Sequence, residues 1–469
     1  MTFRPSMSSR SRILLFQLVM LLATMLTAGA RNLSTNAAPA SPALRWDGKS
    51  GLVDADFDRA SLETVLDRVA KESGWEVAYE PGLAKTISAR FKEVPIDRAL
   101  GLLFASLSYS VVPETNSVPR LLVFETSKNN ATRVIPRVRK HSGRVDNELV
   151  VKVKPGTDID ALARGLGAKV VGRDDALGIY RLRFDDAKSA NAGTEALAQN
   201  PDVLGIDSNY WMESPVPPPG TPESGGSGGF NMSFKAPVDG GCNVVVGLID
   251  TPVQPFGDAR DSFLLPAVSV VGDGSTTSTT SPTHGTSMAS TLLSTVAANS
   301  KSNVSSLQVL PVDVYGGQES TTTYDVALGI SKAVTSGANI LNLSLGSSGN
   351  SDFLHQVIQQ ASSQGVLVFA AAGNDPTTAP TYPAAYSEVV AVTAADRNGA
   401  IADYANHGSF VDAVAPGNSL VYWNGQQYIV SGTSSATAYV SGLAASQANP
   451  CDPSFTSLGR RIAASLAPK

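Results

Sequence analysis

Two kinds of apolar pattern run along this chain. Continuous apolar runs, Val244–Ile249, Val366–Ala372 and Val389–Val392, predict strands buried on both faces of a parallel sheet, where no alternation with polar residues is needed. Helical spacing appears in Leu62, Val65, Leu66 and Val69, with Ser61 as N-cap, and again in Ile96, Ala99, Leu100 and Leu103 behind Pro95. Trp75–Tyr79, Ile87–Phe91, Val111-Val112 and Leu121–Phe124 predict strands around those helices, which makes 52–125 one small α/β module. Residues 146–211 predict a second. It has strands at Glu148–Val153, Ala168–Gly172, Ile179–Phe184 and Val203–Ile206, with helices over Asp158–Leu166 and around Glu195–Gln199 before Asn200-Pro201. That order, βαββαβ, packs two helices on one face of a four-stranded sheet.

The stretches between these patterns set the boundaries. The expected division is a targeting segment at 1–30, a first module at 45–126, a basic linker at 127–145, a second module at 146–212, a Pro/Gly/Ser linker at 213–235 and a large domain at 236–469. The basic linker carries Lys128, Arg133, Arg137, Arg139, Lys140 and Arg144 with no acid, and is expected to be solvated. In the second linker, Pro217-Pro218-Pro219 and Gly225-Gly226-Ser227-Gly228-Gly229 predict an extended, flexible tether. At the start, Arg4, Arg10 and Arg12 precede the apolar run Ile13–Leu26, and Ala28-Gly29-Ala30 offers a cleavage site. This is the pattern of a secretory signal peptide. Fourteen helical residues span about 21 Å, short of the roughly 30 Å of a bilayer core. The expectation is a secreted or periplasmic protein with no membrane span in its mature form.

Charge and cysteine content narrow the function. Lys and Arg number 36 against 41 Asp and Glu, but from Ala236 onward the counts are 7 and 15. A large domain this acidic argues against nucleic acid and anionic lipid as partners. Cys242 and Cys451 are the two cysteines, near the two ends of that domain. In an exported protein an even pair points to a disulfide, with two separate buried thiols as the alternative.

The large domain carries the chemistry. Asp250 directly follows the apolar run Val244–Ile249, and His284 opens His284-Gly285-Thr286-Ser287-Met288-Ala289. Ser434 sits in Ser431-Gly432-Thr433-Ser434-Ser435-Ala436. A carboxylate at the end of a buried strand can fix a histidine tautomer, and that histidine can take and return a serine proton. Only four histidines occur in the chain, and only His284 has this context. Asp, His, Ser in that chain order resembles the subtilisin-like serine proteases, and differs from chymotrypsin-like and α/β-hydrolase orders. Three departures are Pro252, where Gly is usual after Asp-Thr, Ser435, where Met is usual after the serine, and Ala438, where Pro is usual.

The resemblance implies further roles. Val366–Gly373 ends in Asn374, which would donate to the oxyanion. Ile340–Gly346 looks like the segment that pairs with substrate backbone, so Ser344, Leu345 and Gly346, with Ala372 and Gly373, would bind substrate in an apolar first pocket. The implied fold is a doubly wound, mainly parallel α/β peptidase domain behind two small α/β modules. Glu148–Gly156 and Asn200–Val203, ending Ser208-Asn209-Tyr210, resemble the propeptides of the same family. That implies an intramolecular inhibitor whose end around Asn209-Tyr210 enters the cleft.

Phe91–Leu100 with Leu102-Leu103 resembles the short N-terminal domain of secretins and TonB-dependent receptors, which implies an envelope protein partner for 45–126. The substrates would be proteins or peptides and no cofactor is required. Calcium is compatible with the family, but no EF-hand-like run of ligands is present, and Asp258, Asp261 and Asp273 read as surface carboxylates. The competing reading is an envelope interaction protein with an inactive or secondary peptidase domain.

Overall fold

The computed structural model describes residues 43–47, 51–80, 82–112, 119–127, 131, 133–135, 143–214, 242–272, 282–299, 307–449, 451–452 and 454–468. The expected signal peptide at 1–30, the expected Ser214–Gly229 tether beyond Ser214, and Asp273 lie outside them.

From the N-terminus the elements are β1 (Ala43–Asp47), β2 (Leu52–Ser61), α1 (Leu62–Ser73), β3 (Glu76–Tyr79), β4 (Thr86–Pro95), α2 (Ile96–Leu103), β5 (Ser108–Val112), β6 (Arg120–Phe124) and β7 (Arg133–Ile135). The chain forms two compact units. One holds the described residues up to Arg68 and Ala84–Leu103, the other Val69–Leu83 and everything from Phe104. The first contains a three-stranded sheet, β1-β2-β4, with both pairings antiparallel. In the second, β5-β6-β3-β7 make a four-stranded sheet. The predicted helical face is buried, with Leu62, Val65, Leu66 and Val69 at 1% exposure or less.

Among the strands that differ from the sequence expectation are β2 and β7. β2 alternates Val53, Ala55 and Phe57 inward against Asp54, Asp56 and Asp58, a period-2 signal masked by its three acids. β7 falls inside the stretch expected to be a solvated linker, and pairs antiparallel with β3 while Ile135 is buried.

The second unit continues with β8 (Arg144–Val153), α3 (Ile159–Gly165), β9 (Lys169–Asp174), β10 (Ile179–Arg183), α4 (Ala187–Ala198) and β11 (Val203–Glu213). The order β11-β8-β10-β9 is that of a βαββαβ module. Asp158 and Asp186 cap its helices, each carboxylate accepting a backbone N–H of the first turn. β11 runs to Glu213, well past the expected end at Ile206. It leaves its own sheet and pairs with a strand of the large domain.

That domain comprises β12 (Val244–Asp250), β13 (Val268–Ser269), α5 (His284–Asn299), β14 (Leu307–Asp313), β15 (Ser320–Thr322), α6 (Thr323–Thr335), β16 (Ile340–Leu343), α7 (Asp352–Ser363), β17 (Leu367–Ala371), β18 (Val389–Ala395), β19 (Ala413–Pro416), the hairpin β20 (Asn418–Trp423) and β21 (Gln426–Ser431), α8 (Thr433–Gln447) and α9 (Leu458–Ser465). Seven strands, β13-β14-β12-β16-β17-β18-β19, form one parallel sheet. All seven residues of β12 are buried, as a strand covered on both faces requires. One apolar cluster gathers α5 and α8 on one face, and another gathers α6 and α7 on the other. Gly442 lets α8 press against α5, since a Cβ there would lie 2.6 Å from the Leu292 carbonyl oxygen.

Cys242 and Cys451, 209 positions apart in sequence, form a disulfide that joins the start of the domain to the segment after α8. Closing so long a loop restricts the unfolded chain, for an upper stabilisation of about 5 kcal/mol. The Cys242→Ser, Cys451→Ser double variant should therefore unfold at lower denaturant concentration, and the wild type in reductant should match it. An unchanged midpoint in both would refute this role. Among the described residues, no helix is long and apolar enough to cross a membrane, and no group of three or more His, Cys, Asp or Glu could hold a metal ion.

Candidate active site

Asp250 ends β12 and is 1% exposed. Its Oδ1 lies 2.7 Å from His284 Nδ1 and also accepts the Thr251 N–H at 2.7 Å. With the carboxylate as acceptor, Nδ1 is the donor and Nε2 is the ring nitrogen left to take a serine proton. His284 begins α5, and several bonds fix that helix end. Thr251 Oγ1 accepts the Gly285 N–H, Thr283 Oγ1 accepts that of Thr286 and donates to the Pro252 carbonyl, and Gln254 accepts the Thr283 N–H. Gly285 has no alternative, because a Cβ would sit 2.2 Å from the Thr251 carbonyl oxygen. Pro252 fits where the sequence pattern expects glycine. Neither Thr251 nor Pro252 has a positive φ, so the turn needs no glycine there.

Ser434 occupies the second position of α8, behind Gly432. At φ 149° and ψ 167°, Gly432 holds a conformation that side chains disfavour, and it turns the chain sharply from β21 into the helix. The Ser434 N–H is one of the first-turn donors that no helical carbonyl can reach. Its hydroxyl donates to the Ser344 carbonyl at 3.2 Å, and Ser344 Oγ donates back to the Ser434 carbonyl at 3.1 Å. Behind them a fully buried polar chain continues from Ser344 through Asn342 to Ser441. Ser435 is wholly buried, with its hydroxyl directed to the Val430 carbonyl, so it offers nothing to a substrate.

Asn374 follows β17. Its Oδ1 accepts from Thr433 N–H at 2.9 Å and from Thr433 Oγ1 at 3.0 Å, which leaves the amide NH2 as the unanchored end beside Gly432. The Asp250, His284, Ser434 and Asn374 signatures thus meet at the C-terminal edge of the parallel sheet, the usual place for ligands in such folds. Ser344, Leu345 and Gly346 leave the end of β16 towards this edge, and Ala372 and Gly373 leave the end of β17. β16 itself is paired on both sides, by β12 and β17, so its own ladder is closed to a substrate.

A further edge strand is β15, which at three residues is too short to show in the sequence. In the structure it is taken by β11 in antiparallel pairing, Trp211↔Thr322 to Glu213↔Ser320, and Ser214 N–H donates to the Glu319 carbonyl at 2.8 Å. The paired residues therefore lie just beyond Asn209-Tyr210. Asn209 instead serves α6: its Oδ1 accepts from Tyr324 N–H and Thr323 Oγ1, and its amide donates to Glu148. Two residues earlier, Asp207 does the same for α7, accepting from Phe353 N–H and Ser351 Oγ. A carboxylate suits that positive helix end.

Burial nevertheless pushes Asp207 above the ordinary carboxylate range, against the pull of those donors. Burial raises Asp325 as well, with Arg181 of the second module opposing the shift from 3.0 Å. Asp313, register partner of Asp250 on β14, is likewise raised by burial, and the nearby Asp250 charge adds to the rise. Two rings lock the docking. Tyr210 lies on Gly349 and Tyr324 on Gly172, and in each pair a Cβ on the glycine would come within 2.6 Å of the ring.

Comparison with known proteins agrees with this layout. The subtilase family model matches residues 241–457, and that of the fervidolysin N-terminal prodomain matches 134–207. Subtilisin Savinase of Lederbergia lenta is 36% identical over 221 residues, 45% of this chain and 78% of that protein. Alkaline elastase YaB of Bacillus sp. (strain YaB) is 36% identical over 224 residues, and the matched region spans only 56% of its length. The thermophilic serine proteinase of Bacillus sp. (strain AK1) is 29% identical over 316 residues, 64% of this chain and 77% of the relative. Among solved structures, fervidolysin from Fervidobacterium pennivorans, described as a keratinolytic enzyme related to subtilisin, superposes with TM-score 0.50. It shares 19% identity over 67% of this chain and 57% of its own. That likeness is one of fold.

Proposed function

Because the chain belongs to the subtilase family, we propose that it is a secreted serine endopeptidase made as a precursor. The observation that carries the reading is the buried 2.7 Å contact of Asp250 with His284, at the same sheet edge as Ser434. Ser434 turns from the Ser344 carbonyl to His284 Nε2, gives up its proton and attacks the scissile carbonyl. The Ser434 N–H and the Asn374 amide hold the resulting oxyanion. The tetrahedral species expels the amine, which takes the proton from His284, and leaves an acyl ester that water cleaves by the same route. No cofactor is required. The test is a serine-directed fluorophosphonate: it should label the wild type and Ser435→Ala, and fail on Ser434→Ala. Labelling that survives in Ser434→Ala would overturn the nucleophile assignment.

Residues 146–214 act as the inhibitor in this reading, because β11 pairs with the edge strand β15 as a substrate strand would. The full chain carrying Ser434→Ala should accumulate uncut, while the active chain converts to a species that begins after Ser214. Gly349→Ala drives a methyl group into Tyr210. It should weaken inhibition of the processed enzyme by added 146–214 at least tenfold, measured as the inhibition constant on casein. Equal inhibition would show that this docking face does not matter. Residues 45–126, with their resemblance to secretin and receptor domains, are assigned to an envelope partner.

A further inference from the structure

Tyr315 lies just beyond β14, at 1% exposure. Its hydroxyl has one hydrogen-bond partner among the described residues, the main-chain carbonyl of Glu213, at 3.1 Å. Glu213 belongs to β11, in the stretch that pairs with β15. The Tyr210 N–H donates to Thr323 Oγ1 at 3.1 Å, and the wholly buried Met212 shares an apolar cluster with Tyr315, Val326, Leu345 and Leu354. The Tyr315 contact reads a carbonyl, which every peptide has. Burial, with Asp250 and Glu213 nearby, holds the phenol well above its ordinary value, so it stays a donor in neutral and alkaline solution.

If the inhibitory module departs after processing, this hydroxyl loses its protein acceptor. A strand that enters the vacated edge regains the bond by placing a main-chain carbonyl at the same point. We propose that Tyr315 is a positioning residue for substrate: its hydroxyl donates to the backbone carbonyl of a bound polypeptide where Glu213 now sits. It thereby favours extended chains that reach that position over shorter peptides. The proposal rests on the peptidase reading above, and it concerns length selection, which the triad does not determine.

The first test needs no catalysis. In the full chain carrying Ser434→Ala, adding Tyr315→Phe should speed hydrogen exchange at the Ser214 amide about tenfold, the factor lost with one neutral hydrogen bond. The amides of β12 should not change. The second uses the processed enzyme with peptides copying Asn209–Pro218 and Ser214–Pro218, compared by inhibition constant. Tyr315→Phe should lower the long-to-short affinity ratio about tenfold. On the wild type, the long peptide with the Glu213 carbonyl reduced to a methylene should lose a similar factor, a readout that survives if the variant folds poorly. Unchanged exchange overturns the proposal. So does faster exchange with an unchanged ratio, which would confine the bond to module docking. Failure of fluorophosphonate labelling would overturn the peptidase reading separately, with the exchange experiment still judging Tyr315.

Discussion

Ser434→Ala and His284→Ala should each lower turnover of a protein substrate by about 10⁶-fold, and Asp250→Ala by about 10⁴-fold, magnitudes that come from subtilisin itself. The asymmetry follows from what each group does. Without Ser434 there is no nucleophile, and without His284 its proton has no acceptor. Loss of Asp250 leaves the base in place but lets the ring choose the wrong tautomer, since the 2.7 Å contact to Nδ1 is what fixes it. The three act as one unit, so the triple variant should be little worse than Ser434→Ala alone. Ser435→Ala should stay within a few fold of wild type, because that hydroxyl is buried against the Val430 carbonyl. The measurement is kcat on a fluorogenic casein with the processed enzyme. A stepwise, additive loss across single, double and triple variants would contradict a shared mechanism.

Much of this site could be read in the sequence because its parts are local. A six-residue apolar run, Val244–Ile249, followed by Asp250 marks a central strand with a carboxylate at its end. Gly432-Thr433-Ser434 carries the turn that starts α8, and Gly285 next to His284 carries the close approach to Thr251. Pro252 stands where the pattern usually has glycine, the residue that most readily takes a positive φ. The backbone takes that turn without one. Gly432-Thr433 directly before it marks Ser434 in the sequence, and the structure agrees in burying Ser435 completely with its hydroxyl on the Val430 carbonyl.

The docking surface was hidden for the opposite reason. Asp207, Ser208 and Asn209 make a polar run that looks like the end of a strand. Their meaning lies in the first turns of α6 and α7, more than a hundred residues further along. β15 is too short to show a period, and its strand character comes from the partner that covers it. β2 did carry a readable alternation, but Asp54, Asp56 and Asp58 on its outer face suggest a turn by composition. Local propensity lost to pairing with β1 and β4 on either side.

Asn374 supports the second large effect, and its geometry allows donation to be separated from positioning. Thr433 anchors Oδ1 through both its N–H and its hydroxyl, and that hydroxyl also accepts the Gly373 N–H at 3.1 Å. The amide NH2 is thereby aimed rather than free to flip. Asn374→Ala removes donor and anchor together, and should lower kcat by about 10²–10³-fold with KM little changed, a range that comes from subtilisin. Asn374→Asp keeps the shape and the bonds accepted from Thr433, yet replaces the donor with a second acceptor. If the amide serves only to hold Thr433 and the turn before Ser434, the aspartate should restore most of the activity. If it donates to the oxyanion, the aspartate should be at least as damaging as alanine, because a carboxylate opposes the charge that develops there. Fluorophosphonate labelling should slow in both variants, while thermal unfolding moves in Asn374→Ala alone. An active Asn374→Asp enzyme would remove Asn374 from the oxyanion site and leave the Ser434 N–H as its only assigned donor.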